Sequence, residues 1–261
     1  WLNNAKDLID NKVIEFKDVI GCRDDIMTYL SYNGIKPIDA FKIMEFVRKG
    51  KPSKEPDAWK EHVAVLKEAG IPEWYIESCH KIKYMFPKAH AVAYVIAALR
   101  VAYFKIYYPI EYYSTYFSIK CNTFDVETLI GGEQAIRNKI TEIESKGFDA
   151  SNKEAELLEV LQIALEMTVR GFSFKNINLE KSAAKNFVIT EDRKSLILPF
   201  IALDGLGDNV ANQIVSERAN GPFISIEDFQ GRGKVNSTTI EKMRALGIFE
   251  SLPESSQLSL F

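Results

Sequence analysis

The chain has 261 residues, of which 46% are hydrophobic and 26% charged, and a net charge of −3. At roughly 100–200 residues per domain this makes one large or two small domains, and the composition excludes wholesale disorder. The slightly acidic balance excludes a general polycation, so affinity for nucleic acid has to come from local patches or from neutral backbone donors.

Three cysteines, Cys22, Cys79 and Cys121, stand far apart and in no CxxC or Cys/His spacing. That argues against a zinc site and a disulfide framework, and for a reducing cytoplasm. The most apolar run, residues 89–108, contains Arg100 and Lys105. A membrane span of about 20 residues rarely holds two central cations, so no membrane is expected. The first residues show no signal-peptide pattern, and the opening Trp1 reads as a C-terminal fragment entered mid-domain, or as a processed chain.

In chain order, helices are predicted over residues 23–33 and 38–48, separated by Gly34 and Pro37, followed by a Gly- and Pro-containing loop over 49–56. A helix over 57–69 stops at Gly70; Pro72 suits the first turn of the next, which Pro87 breaks. An alanine-rich helix runs over 88–107 and Pro109 ends it. Two more cover 124–146 and 151–170, parted by Gly147, the second opened by a capping box of Ser151 and Glu154 and ended by Gly171. A short β-hairpin is expected from 186–190 and 195–198. From Pro199 on the chain reads as helical with small turns, and residues 253–256 as a flexible lead-in to the last five. The fold class is mainly α, with a small α+β part in the second half.

The segment Lys81-Ile82-Lys83-Tyr84-Met85-Phe86-Pro87-Lys88-Ala89-His90 is basic: residues 81–120 hold six Lys or Arg against one acid, Glu111. Pro87 puts a helix start at the same place, and a helix N-terminus offers unpaired N–H groups and a positive dipole end to a phosphate. Lys81, Lys83, Lys88 and His90 would surround it. The competing reading is a solvated basic face beside a Pro-started helix. Tyr94, Tyr103, Tyr107 and Tyr108 could stack on bases, although aromatics at helical spacing are more often core.

Around Gly205-Leu206-Gly207-Asp208-Asn209 the sequence resembles a helix-hairpin-helix motif, placed near residues 200–220. Glycines let the backbone turn tightly and come close to a ligand. The N–H groups near Gly205, Leu206, Gly207 and Asn209, with the next helix N-terminus, can then meet one DNA phosphate without reading sequence. Residues 200–248 hold five bases and six acids, so charge does not advertise this. A second, degenerate copy is read at 233–249. The terminal Gln257-Leu258-Ser259-Leu260-Phe261 looks like a bacterial sliding-clamp docking peptide, with Gln257 at a pocket rim, Leu260 and Phe261 in apolar pockets, and Leu258 among the clamp-binding residues.

Together with Ile20-Gly21-Cys22-Arg23-Asp24-Asp25-Ile26 and Phe41-Lys42-Ile43-Met44-Glu45-Phe46-Val47-Arg48-Lys49-Gly50, these segments resemble the C-terminal third of the PolC-type replicative DNA polymerase III. The resemblance implies a helical fingers domain over 1–120, a small α+β duplex-binding domain over 121–252 with the helix-hairpin-helix, and a flexible clamp-binding tail over 253–261. It implies primer-template DNA, a dNTP, the sliding clamp and other replisome subunits as partners. It adds Arg23 to the nucleotide-phosphate residues Lys81, Lys83, Lys88 and His90. Mg²⁺ would be held by aspartates of a palm domain that nothing here matches, so no catalytic or metal-binding residue is assigned and this stretch alone should not catalyse. The adjacent Asp24 and Asp25 cannot face one site from a helix. The alternative is a non-enzymatic adaptor that joins a helix-hairpin-helix to a clamp peptide. A helix-hairpin-helix glycosylase fits poorly, since no lysine–aspartate pair follows Gly207 at the usual distance.

Overall fold

The computed structural model describes residues 3–255 and falls into two compact units, one up to Val101 and one from Ala102 on. It is mainly helical, with one small sheet in the second unit.

In the first unit α1 (Ala5–Asp10), α2 (Arg23–Tyr32), α3 (Pro37–Arg48), α4 (Pro56–Glu68) and α5 (Glu73–Lys81) precede the long α6 (Lys88–Tyr107), whose last residues belong to the second unit. Pro37 and Pro56 open α3 and α4, where a missing N–H costs nothing. The buried set on α3, Ala40, Ile43, Met44 and Val47, follows i, i+3, i+4, i+7 spacing and forms one apolar stripe. It packs with Ile26 and Leu30 of α2, Leu66 of α4 and Tyr75 and Ile76 of α5. Full burial of one such Leu or Ile contributes about 1.5–3 kcal/mol.

Here α5 stops at Lys81, well before Pro87, because the following segment is tied to the end of α3: Met85 donates its N–H to the Arg48 carbonyl at 3.1 Å. Gly50 makes this approach possible. Its φ is +68°, and any side chain on it would collide with the Lys83 carbonyl. Pro72 lies just outside α5, as its N-cap.

In the second unit α7 (Pro109–Lys120), α8 (Val126–Ile130), α9 (Gly132–Ser145) and α10 (Asn152–Val169) lead into β1 (Ser173–Lys175), β2 (Val188–Ile189) and β3 (Ser195–Ile197). A 3₁₀ turn (Phe200–Ala202) precedes α11 (Asp208–Ala219), α12 (Ile226–Gly233) and α13 (Ser237–Ala245). Two features differ from the sequence expectation. Pro109 does not only end α6; it is the first residue of α7, whose Ile110, Tyr113 and Phe117 are buried. The helix expected over 124–146 is interrupted at Gly131 and Gly132, the latter with φ +78°.

The expected hairpin is present, with Val188 opposite Ile197 and Ile189 opposite Leu196, but β3 also pairs in parallel with β1 on its other edge. The capping box at α10 forms: Glu154 accepts from the Ser151 N–H at 2.9 Å, and the Ser151 hydroxyl accepts from the Glu154 N–H at 3.3 Å. The core gathers Tyr113, Phe117, Leu161, Met167, Leu196, Phe200, Ile214 and Phe229, each no more than 0% exposed.

Residues 253–255, expected to be flexible, are pinned. The Pro253 and Glu254 carbonyls accept the N–H groups of Ile226 and Glu227 at 2.9 and 3.1 Å, and Arg244 holds the Glu254 carboxylate at 2.6 Å. The first amides of α12 need acceptors from outside the helix, and this strand of chain provides them.

Among the described residues α6 is the one helix long and apolar enough to cross a membrane by length and composition. None of its side chains is buried. Arg100 and Lys105 lie within it, and Lys105 pairs with Glu166 at 2.6 Å.

Candidate nucleic-acid interface

The basic elbow belongs to the first unit. Its backbone is fixed by two bonds to the start of α2: Arg23 donates its N–H to the Phe86 carbonyl at 3.1 Å, and Asp24 accepts the Lys88 N–H at 2.6 Å. Neighbouring Asp25 turns the other way, accepting the N–H groups of Gly21 and Cys22 at 3.0 and 2.9 Å and closing the capping box of α2. Each acid thus serves a helix start, and they do not converge.

Lys83, Lys88 and His90 are exposed on the elbow, and Arg23 is half-buried at the start of α2, which the bonds at Phe86 and Lys88 tie to it. The Arg23 guanidinium lies 3.5 Å from Glu45, which Lys49 also approaches at 3.2 Å. Arg48 foremost, then Lys49, holds the Glu45 carboxyl down to about 2. Lys81 is turned aside; its ammonium donates to the Asn3 carbonyl at 2.9 Å. Among the described residues no acid lies within ion-pair distance of the Lys81, Lys83 or Lys88 ammonium. His90 stacks on Phe86 with centroids 4.9 Å apart and meets the edge of Tyr94 at 4.6 Å. This is a rim of uncompensated ammoniums with an aromatic stack beside it, chemistry suited to a polyphosphate next to a flat ring.

The glycine hairpin belongs to the second unit. Leu206 is 5% exposed, buried in the core, and donates its N–H to Leu203 at 3.0 Å. It anchors the turn, while Gly205, Gly207 and Asn209 are exposed around it. Gly205 has φ +93°, a conformation that favours glycine. Gly207 needs no such freedom, at φ −81° and ψ 164°, and a side chain there would meet nothing within 4 Å. The fold itself gives no reason for glycine at 207; a bare, open backbone is what an external partner needs to approach closely. The N–H groups of Gly205, Gly207, Asp208 and Asn209 donate to no acceptor among the described residues. They form the kind of amide cluster that holds an anion.

The second, degenerate copy is built differently. Helices α12 and α13 join through Lys234, at φ +53°, and Asn236, whose side chain takes the Thr239 N–H at 2.8 Å. A side chain on Gly233 would stand 3.0 Å from Ile214 of α11, so this glycine serves packing within the chain. The first hairpin turns Gly205 and Gly207 outward, whereas the second packs Gly233 inward. The expected docking residues Gln257, Leu258, Leu260 and Phe261 lie outside the described residues.

A family model described as a helix-hairpin-helix motif matches residues 171–258. Over all 261 residues the chain is 55% identical to the DNA polymerase III PolC-type of Halalkalibacterium halodurans, 52% to that of Bacillus subtilis and 50% to that of Caldanaerobacter subterraneus subsp. tengcongensis. In each case the match takes in 100% of this chain and 18% of the relative, so the chain spans about a fifth of the length of these proteins. Along its whole length the chain is a homologue of one segment of the PolC-type DNA polymerase III.

Proposed function

We propose that this chain is the nucleotide-handling and duplex-gripping part of a replicative DNA-directed DNA polymerase. The observation that carries the reading is the outward glycine hairpin at 205–207, with its unpartnered amides, inside a stretch matched by the helix-hairpin-helix motif and homologous throughout to PolC-type polymerases. The hairpin amides take a phosphate of the primer-template duplex. This positions the duplex whatever its sequence, which suits an enzyme that copies any template.

The elbow receives the incoming dNTP. Lys83 and Lys88 neutralise triphosphate charge, Arg23 joins them at the start of α2, and His90 with Phe86 flanks the nucleotide. Lys81 completes the basic rim when its bond to Asn3 opens. The domain roles follow: fingers over 1–120, duplex grip over 121–252, clamp-binding tail over 253–261, in a cytoplasmic replisome. Gln257, Leu258, Leu260 and Phe261 dock on the sliding clamp and raise the enzyme's effective concentration at the primer end. Arg100 and Lys105 on α6 argue for a protein or aqueous setting over hydrocarbon.

The residues present do not fit a magnesium site. Asp24 and Asp25 are committed to backbone amides on diverging sides, and among the described residues no group of three or more His, Cys, Asp or Glu is placed to hold a metal ion. In this reading the magnesium ligands would be aspartates of a palm domain outside this chain. The test is duplex affinity of the full-length polymerase with Gly207→Val. A several-fold loss in a folded protein is the expected result, and unchanged affinity removes the hairpin from the interface.

A further inference from the structure

Two lysines from separate helices converge beside the Gly205 turn. Lys153, in the first turn of α10, places its ammonium 2.9 Å from Oδ1 of Asp204. Lys242, in the last turn of α13, donates to the Asp204 carbonyl at 2.9 Å and lies 3.2 Å from Oδ2. The same ammonium stands 3.7 Å from where a side chain on Gly205 would begin. These groups border an open cleft of about 670 Å³. Asp204 and Lys153 are each 67% exposed and Lys242 42%.

Two other acids along the cleft have partners: Asp125 caps α8 by accepting the Thr128 N–H at 3.1 Å, and Glu154 holds Lys146 and the start of α10; exposed Glu127 also lines it. Two ammoniums thus share the one Asp204 carboxylate next to the unpartnered hairpin amides. An ion pair so open to water is weak and exchanges readily. A phosphodiester brings the same single negative charge as the carboxylate it would replace, and lysine serves phosphate as a mobile point charge.

We propose that Lys153 and Lys242 are a second contact to the sugar-phosphate backbone of duplex DNA, adjoining the Gly205–Gly207 turn, with Asp204 as the internal carboxylate that a phosphate displaces. The inference rests on the reading of the hairpin as a duplex grip. It adds two side chains outside the Gly205–Gly207 turn, one on α10 and one on α13.

The experiment measures duplex affinity of the full-length polymerase across a salt series, for Lys153→Ala, Lys242→Ala, the double variant, the two Lys→Arg variants and Asp204→Asn. Each lost phosphate contact lowers the slope of log K against log salt by about 0.9. The double variant, which removes the one phosphate contact the pair makes, should lose about 0.9, the Arg variants should keep the wild-type slope, and Asp204→Asn should bind several-fold tighter at low salt. A double variant that is folded and keeps the wild-type slope overturns the proposal, as does weaker binding by Asp204→Asn. If Gly207→Val weakens binding while the lysine variants keep their slope, the lysine contact falls and the hairpin stands. If the lysine variants flatten the slope while Gly207→Val binds normally, the lysine contact stands without the hairpin.

Discussion

The carboxylate of Asp24 accepts the backbone N–H of Lys88 at 2.6 Å, joining the first turn of α2 to the first turn of α6 across 64 positions of sequence. An acid at the positive end of a helix satisfies an otherwise unpaired amide and the local dipole together. Asp24→Ala should therefore weaken the start of α6 by about 0.5–2 kcal/mol, the range for losing a capping side chain. Faster hydrogen exchange at Lys88–Ala91 in the full-length protein would register it. Protection unchanged at those amides would show that the cap contributes nothing.

Lys88 carries both this capped amide and an ammonium with no acid at ion-pair distance. Replacing it with Ala in the full-length polymerase removes the charge and leaves the backbone bond. The KM for dNTP should rise several-fold or kcat should fall. Steady-state kinetics identical to wild type would end its phosphate role.

Glu45 gathers Arg23, Arg48 and Lys49, and its carboxyl is held down to about 2 against an ordinary 4.5. A depressed acid stabilises the folded state above its unfolded pKa and loses that contribution as pH falls through the folded value. Glu45→Gln should thus lower the unfolding midpoint at pH 7, with the difference from wild type shrinking between pH 4.5 and about 2. A gap that stays constant across that window would place its cause elsewhere than the carboxylate's charge.

Phe117 is fully buried, packed against Phe174 and Phe187 with centroids 5.3 and 5.5 Å away. Truncation to Ala leaves a cavity between α7 and the sheet and should cost about 3–5 kcal/mol. Hydrogen exchange in β1 and β3 would report it as loss of their slowest-exchanging amides.

Removing Leu260 and Phe261 should abolish clamp-dependent processivity and spare distributive synthesis. Product lengths measured with and without clamp decide this: equal clamp stimulation in the truncated and intact enzymes would rule the peptide out.

Local signals carried much of this fold. Proline and glycine marked most helix starts and stops, and Ser151 with Glu154 gave the start of α10. Helix α7 was hidden because Pro109 serves equally as the stop of one helix and the first residue of the next; the spacing of Ile110, Tyr113 and Phe117 was the usable clue. Strand β1 has three residues and owes its existence to pairing with β3, a partner 22 positions away that no local pattern announces. The site divides the same way. The elbow's charge and the Gly205–Gly207 turn are contiguous and legible. The Asp24–Lys88 bond and the convergence of Lys153 and Lys242 on Asp204 join residues 38–64 positions apart, and only the fold brings them together.

The pinning of Pro253 and Glu254 against the start of α12 sets the length of a leash. Gln257 follows Glu254 by three residues, a reach of about 11 Å at most for a fully extended chain. If the terminal peptide docks on a clamp as proposed, a tether this short would hold the ring close to the unit that carries the hairpin, and would confine it to the stretch of duplex beside the Gly205–Gly207 turn.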